Sequence, residues 1–266
     1  MSDTAVASVP SHRPVDRPTA AEPDPLDGTP PASDVVVVGA GVMGSWTAWF
    51  ARAGGAGPDG RHGGNRSVTL IDAWGAGHPR GTSSDETRIT RASHGDDLLY
   101  TAWSRRALEL WRRAESDWGV ELILPSGVLW FARRPDGWEA RSAATLAAAG
   151  IPHERIDPDE LVRRWPQVAH DGDLDHALYE PEAGAIRARD GVWATVAAFR
   201  RHGGRYAIAS VRPGRSAGGR LLEVRDAGGR TWAGETFVFA AGPWLPGLFP
   251  DLLGDAIAVK IGRAHV

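Results

Sequence analysis

Three glycines near the start of the chain have the spacing of a phosphate-binding turn. They are Gly39, Gly41 and Gly44, in the pattern G-x-G-x-x-G. The first permits a tight turn, the second lets a pyrophosphate approach the backbone, and the third lets a helix pack closely on a strand. A helix that begins there offers unpaired N–H groups and a positive dipole end to phosphates. The pattern therefore predicts a dinucleotide site.

An acidic residue follows where an adenosine ribose would be recognised. Asp72 ends the apolar stretch Ser67–Asp72, and its carboxylate could accept hydrogen bonds from ribose hydroxyls. It lies about 30 residues beyond the glycines instead of the usual ~20, and the glycine-rich loop Gly54–Arg66 accounts for the difference. An acid here disfavours the 2′-phosphate of NADP, which leaves NAD and FAD. The alternative role for Asp72 is a helix cap or a surface acid.

The elements around the glycines have to position them. The β-branched stretch Asp34–Gly39 predicts a buried strand, Val42–Arg52 a helix and Ser67–Asp72 a second strand. Glycine triplets also occur by chance in a chain with 33 glycines, and these flanking elements give the triplet its meaning. The strand–helix–strand order predicts an α/β fold with a parallel sheet.

Three further predictions concern the rest of the chain. Leu122–Leu124 and Gly127–Ala132 are expected to be a pair of strands joined by a Pro-Ser-Gly turn, and Asp190 is expected to cap a helix. The clearest helix is Asp97–Trp118, with an apolar face at spacings of three and four. That face consists of Leu99, Trp103, Ala107, Leu110 and Ala114.

Composition excludes several classes of function. The net charge of −3 shows no basic footprint for nucleic acid, and the absence of cysteine excludes disulfides, thiolate metal sites and a cysteine nucleophile within these 266 residues. Neither a metal-ligand spacing nor a run apolar enough to span a membrane is present, and no secretory signal begins the chain, so we expect a cytoplasmic protein. Residues 1–33 are rich in Pro, Ala, Asp and Ser and are expected to be a disordered tail.

Four stretches carry a resemblance to a known family. They are VVVVGAGVMGS, VTLIDAWGAGHPRGTSSDETRITR, YEPEAGAIRARDG and FVFAAGPWLPGL, in this order between Asp34 and about Asp255. The sequence resembles the FAD-dependent amine and amino-acid oxidoreductases of the D-amino-acid oxidase superfamily, and most of all the branch of monomeric sarcosine oxidase and N-methyltryptophan oxidase. The segment GTSSDETRITR is the most specific, because a plain NAD-binding Rossmann domain has no counterpart. The resemblance therefore implies FAD.

The resemblance also implies roles for individual residues. Arg88 would lie against the isoalloxazine ring, where a guanidinium stabilises negative charge on the reduced flavin, and Arg91 would pair with the substrate carboxylate through its planar fork. The alternative is that both are surface arginines, since 29 of the 30 basic residues are arginine. The other implied cofactor contacts are Thr82, Ser83, Ser84 and Thr87 along the flavin, Val211 beside the adenine, and Ala241, Gly242 and Trp244 near the pyrophosphate.

The fold implied by the resemblance has two interleaved parts. A Rossmann-like FAD-binding domain would comprise 34–118 and 188–259, and 119–187 would form part of an antiparallel-sheet substrate domain that is incomplete here. The implied reaction oxidises the C–N bond of an amino acid or N-methyl amino acid, with hydride transfer to flavin N5, imine hydrolysis, and oxygen or another acceptor taking the electrons. An NAD-dependent dehydrogenase and an inactive nucleotide-binding fragment remain the alternatives.

Some positions depart from the family pattern or stand outside it. The pattern has histidine at Ser84 and glycine at Asp85. We expect His78 and His94 to be loop residues, Tyr179, Glu180 and Gly184 to be structural, and Trp130 to be able to wall a substrate pocket. These residues are therefore not assigned to catalysis.

The C-terminal end departs from the family in another way. Relatives continue past Ala241 and supply a lysine beside the flavin and a cysteine that holds FAD covalently. Ile261–Val266 resembles a translated sequencing-library adapter whose first bases would complete the codon of the only lysine, Lys260. We therefore expect Lys260–Val266 to be partly or wholly artefactual. We therefore expect the chain as written not to be a competent oxidase.

Overall fold

A computed structural model describes residues 18–54, 66–168, 170 and 172–257. The predictions for the start of the tail, for most of the Gly54–Arg66 loop and for Lys260–Val266 lie outside these residues. Within them, no helix is both long and apolar enough to cross a membrane.

The largest sheet has six strands: β1 (Ser33–Val38), β2 (Val68–Asp72), β9 (Arg205–Ile208), β10 (Val211–Pro213), β13 (Glu223–Asp226) and β14 (Thr231–Phe239). Their order across the sheet is β10-β13-β14-β1-β2-β9. Strands β14, β1, β2 and β9 are parallel to one another, while β13 and β10 extend the sheet antiparallel. The predicted parallel α/β sheet is therefore confirmed.

The βαβ unit predicted from the sequence forms as expected. The first strand, β1, is buried along Val35–Val38, and helix α1 (Val42–Ala53) follows it and leads back to β2. Helix α5 (Ala188–Arg201) packs beside α1 over the same face of the sheet. The chain leaves this layer between β2 and α5, so the other sheets are interleaved with the parallel one.

Two three-stranded antiparallel sheets occupy the interleaved part, in the orders β3-β8-β4 and β5-β7-β6. The expectation that Leu122–Leu124 pairs with Gly127–Ala132 is wrong, because β4 pairs with β8 and β5 pairs with β7. A short turn between two strands did not decide their partners here. The bounds are β3 (Thr87–Thr90), β4 (Ile123–Leu124), β5 (Val128–Ala132), β6 (Glu154–Ile156), β7 (His176–Glu180) and β8 (Gly184–Arg187).

Helix α5 begins at Ala188, so Asp190 lies in its first turn and the prediction that Asp190 caps it is wrong. Strand β8 runs directly into the helix and leaves no room for a cap at Asp190.

The remaining elements are short apart from helix α2. They are α2 (Leu98–Trp118), α3 (Trp138–Ala148), α4 (Pro158–Arg164), β11 (Ser216–Ala217), β12 (Arg220–Leu221), the 3₁₀ turn Gly242–Trp244, α6 (Leu245–Leu248) and α7 (Pro250–Leu253).

The predicted buried face of helix α2 is only partly covered. Ala114 is 4% exposed, but Leu99 is 56% and Trp103 60% exposed. The C-terminal half packs on α1 through the edge-to-face pair of Trp111 and Trp46. Periodicity correctly marks which residues share a face, but it cannot show whether another element covers that face.

The expectation of a disordered tail is wrong for residues 18–33. Asp24 N donates to Tyr206 O over 2.7 Å, and the Asp24 carboxylate accepts from Tyr206 N and from Arg200. Leu26 packs against the apolar cluster under the sheet. Strand β9 is the edge of that sheet, and its unpaired backbone groups fix a segment whose own composition is poor in apolar residues.

Candidate functional site

The glycine turn joins the ends of three parallel strands. Gly39 has φ +107°, and a Cβ there would lie 2.5 Å from Ala240 O, so only glycine fits. Gly39 N donates to Ile71 O over 2.7 Å, and Ala240 N donates to Val38 O over 2.8 Å. These bonds hold β1, β2 and the residues after β14 together at one point.

The other two glycines serve different purposes. A Cβ at Gly44 would lie 1.7 Å from Gly39 O, so this glycine lets α1 touch the end of β1. Gly41 has an ordinary φ of −73°, and its Cβ would meet nothing closer than Ser83 Oγ at 3.3 Å. The fold therefore requires glycine at 39 and 44, whereas at 41 the missing Cβ leaves open space.

Ser83 connects the later polar segment to the start of α1. Its Oγ accepts from Val42 N over 3.0 Å, which caps a helix whose own N-cap, Gly41, has no side chain. The predicted flavin segment is thus fastened to the helix end that would bind phosphate.

Asp72 holds the turns around it with both carboxylate oxygens. Oδ2 accepts from Ala40 N over 2.7 Å, and Oδ1 accepts from Trp74 N and Gly75 N, each over 2.9 Å. A carboxylate offers about four acceptor positions, so these three bonds leave one for a ligand hydroxyl. Asp72 is therefore neither a helix cap nor a surface acid without contacts.

The first cavity lies at the carboxyl ends of these strands and measures about 330 Å³. Trp74 and Trp244 lie on its wall, with their ring centroids 5.0 Å apart. Trp74 is absent from the sequence predictions, although its place two residues after Asp72 was a usable signal. Six predicted residues line this cavity: Gly39, Gly41, Asp72, Val211, Ala241 and Trp244.

A second cavity, of about 420 Å³, lies beside the first. Gly41 and Ala240 line both, so the two cavities meet at the glycine turn. The wall of the second cavity is largely apolar, with Val238, Phe239 and Leu245. Four predicted residues line it: Gly41, Thr82, Ser83 and Gly242.

Three residues of the predicted flavin segment do not line either cavity. Ser84 is buried, and its Oγ donates to Gly81 O over 2.7 Å. Thr87 is exposed on β3. The half-exposed Arg88 donates to Thr82 O and pairs with Asp85, so it braces the segment beside the second cavity.

Arg91 lies in a third cavity, of about 220 Å³, so the structure does not bring Arg88 and Arg91 together in one cavity. The Arg91 guanidinium lies over the ring of Trp130, 4.9 Å from its centroid, and 5.8 Å from that of Trp138. Its NH1 donates to Ser93 O and approaches His94 Nδ1 at 3.2 Å. Arg91 is thus a half-buried cation held against aromatic rings.

His94 is in contact with Arg91, which sequence reasoning missed. Its Nε2 lies 2.8 Å from Ser104 Oγ, and burial together with the neighbouring Arg91 guanidinium lowers the pKa of His94. The neutral ring with a proton on Nε2 can accept from Arg91 at Nδ1. His94 therefore contributes an acceptor, without adding a second positive charge.

Comparison with known proteins agrees with this geometry. The sequence model of the DAO family, described as FAD dependent oxidoreductase, matches residues 34–265. The chain belongs to this FAD-dependent oxidoreductase family. In a member of it, two cavities that meet at a glycine turn fit a cofactor built from two nucleotide halves, and Gly41 leaves the space between them open.

Two relatives and one solved structure match the chain with partial coverage. Monomeric sarcosine oxidase of Streptomyces avermitilis is 31% identical over 226 residues, which are 84% of this chain and 55% of that protein. N-methyl-L-tryptophan oxidase of Yersinia pseudotuberculosis is 25% identical over 155 residues, 58% of this chain and 39% of that protein. The solved open form of NikD, an unusual amino acid oxidase, superposes with a TM-score of 0.66 at 23% sequence identity. The match covers 83% of this chain and 54% of the NikD chain.

This FAD-dependent oxidoreductase chain spans about half the length of the curated relatives it matches. The resemblance inferred from the four sequence stretches is confirmed, and so are the fold class and the FAD-dependent family. The roles of single residues remain predictions.

Proposed function

We propose that the protein oxidises the C–N bond of an amino acid or N-methyl amino acid, with FAD held at the 39–44 turn. The observation that carries this proposal is the pair of cavities that meet at Gly41. The relatives, sarcosine and N-methyl-L-tryptophan oxidases, suggest the substrate class.

Each part of the cofactor has residues suited to it. Asp72 and Val211 would hold the adenosine end, and Gly41 with the N-terminus of α1 would hold the pyrophosphate. Thr82 and Ser83 would lie along the flavin half. Bound FAD supplies the redox chemistry, because it takes up a hydride equivalent from the carbon next to the substrate nitrogen.

The second cavity favours a flavin over a nicotinamide. Oxidised nicotinamide carries a positive charge, and the wall of this cavity is largely apolar. A cation would lose hydration there, which costs free energy. A neutral flavin ring has no such cost.

The Arg91 guanidinium has an edge suited to a carboxylate. Among the described residues, both of its hydrogen bonds start from NH1. Nε and NH2 form the opposite edge, and such a pair of N–H groups binds a carboxylate in two parallel bonds. We therefore propose that Arg91 binds the substrate carboxylate, while oxygen or another carrier accepts the electrons.

Two arginine variants, made in the holoenzyme of a full-length parent, test this proposal. Arg91→Ala should raise KM for the amino-acid substrate about 10- to 150-fold with kcat little changed, because a charge-assisted contact worth about 1.5–3 kcal/mol is lost from ground and transition states alike. Arg88→Ala should instead lower kcat and change the flavin absorption spectrum. Steady-state kinetics with peroxide and dye-reduction assays measure both effects and identify the acceptor.

Arg106→Ala is the matched control, because Arg106 is an exposed arginine of α2 that pairs with Glu109. It should leave both constants unchanged, as expected for an exposed ion pair. Small, equal effects of all three variants would mean that Arg88 and Arg91 are surface arginines without a role in the site, and would contradict the proposal.

A further inference from the structure

Glu180 is a buried carboxylate at the end of β7, with 2% of its surface exposed. A buried charge is costly unless hydrogen bonds satisfy it. Glu180 accepts from Ala92 N over 2.8 Å, from Ser93 N over 3.2 Å, from Ser93 Oγ and from Trp130 Nε1 over 3.0 Å. These four donors fill the acceptor positions of one carboxylate.

The four donors belong to two segments that both hold Arg91. Ala92 and Ser93 directly follow Arg91 in the chain, and Ser93 O accepts from the Arg91 guanidinium. Trp130 provides the ring over which that guanidinium lies, 4.9 Å from the centroid. Glu180 therefore fixes both the backbone from which the Arg91 side chain starts and the surface on which it ends.

We propose that Glu180 is the positioning residue for Arg91. This inference rests on the proposed role of Arg91 as the carboxylate-binding residue. Glu180 also lines the Arg91 cavity, where its charge could attract a substrate ammonium group. With all four acceptor positions occupied from within the chain, it acts through Ser93 and Trp130 instead of binding the substrate itself.

Glu180→Gln is the sharpest test, because glutamine keeps the size but turns one acceptor into an NH₂ group that faces N–H and O–H donors. In the holoenzyme it should raise KM for the amino-acid substrate at least about 10-fold, with kcat within about 2-fold and the flavin spectrum unchanged. In a double-mutant cycle, it should add nothing to the KM of Arg91→Ala. Additive effects, or a loss of kcat at constant KM, would overturn the proposal.

A second readout needs no turnover. In ¹⁵N-labelled protein, Glu180→Gln should move both the Trp130 indole N–H and the Arg91 Nε–H resonances, and Trp130→Phe assigns the indole signal. If Arg91→Ala leaves KM unchanged, the carboxylate contact fails, yet movement of the Arg91 signal would still support positioning. An Arg91 signal that stays in place would overturn it.

Two milder variants keep the test decisive if Glu180→Gln fails to fold. Ser93→Ala and Trp130→Phe each remove one of the four donors and keep the carboxylate. Both should raise KM less than Glu180→Gln would, and neither should do so in the Arg91→Ala background. An unchanged KM in both single variants would overturn the proposal.

Discussion

Gly44→Ala is expected to lower the free energy of unfolding by about 3 kcal/mol or more, because a backbone atom occupies the place of the new methyl group. That Cβ would lie 1.7 Å from Gly39 O and 3.2 Å from Ala240 Cβ. Helix α1 would have to move away from β1 at the point where the strands converge. Thermal unfolding of the cofactor-free chain measures the effect as a fall in Tm of about 6 °C or more.

Gly247→Ala is the matched control for this variant. Gly247 lies in α6, and a Cβ there would meet no atom within 4 Å. Its Tm should stay within about 2 °C of the parent, since surface changes of this kind are usually within ±0.5 kcal/mol. A Gly44→Ala protein as stable as Gly247→Ala would contradict the close contact of α1 with β1.

Gly41→Val is expected to weaken FAD binding about 100-fold or more while the chain still folds. The nearest atom to a Cβ at this position is Ser83 Oγ at 3.3 Å, so the cofactor-free fold can accommodate it with a small shift. The added branch would instead fill the space where the two cavities meet. Flavin absorbance per protein after gel filtration measures retention, and thermal unfolding of the cofactor-free form confirms the fold.

Comparison of the Gly44→Ala and Gly41→Val variants separates the effect on folding from the effect on FAD binding. Gly44→Ala should lose stability first, and Gly41→Val should lose the cofactor first. A Gly41→Val protein that purifies with its full complement of flavin would show that the cofactor lies elsewhere.

The βαβ unit could be predicted because its signals are local. The valines 35–38 and the glycines that follow specify strand, turn and helix within a dozen neighbouring positions. The glycine roles followed from general geometry, and the structure bears out the tight turn at Gly39 and the close packing at Gly44.

The features that were missed depend on distant parts of the chain. Glu180 accepts from Ala92, 88 positions away, and the Asp24 carboxylate accepts from Tyr206, 182 positions away. No spacing in a single sequence encodes such partners. The same holds for Trp103, whose exposure depends on which element packs against α2 and not on its place in the apolar face.

The environment of Arg91 shows which contacts the family resemblance could not predict. The resemblance implied that Arg88 lies against the flavin and that Arg91 pairs with the substrate carboxylate, but it carried no information on Trp138 or His94, which lie beside Arg91. Asp85 departs from the family pattern and pairs with Arg88. Such contacts depend on the residues of this chain and have to be read from its structure.

Calorimetric titration of ADP, FAD and NAD into the chain tests the central claim, FAD binding at the Gly39–Gly44 turn, most directly. We predict that FAD binds, that ADP competes with it for the first cavity, and that NAD binds at least about 10-fold more weakly, a difference of about 1.4 kcal/mol. Gly41→Val should weaken FAD and ADP together, because both place a pyrophosphate at the turn. NAD binding as tightly as FAD, or FAD binding that neither ADP nor Gly41→Val reduces, would contradict the account.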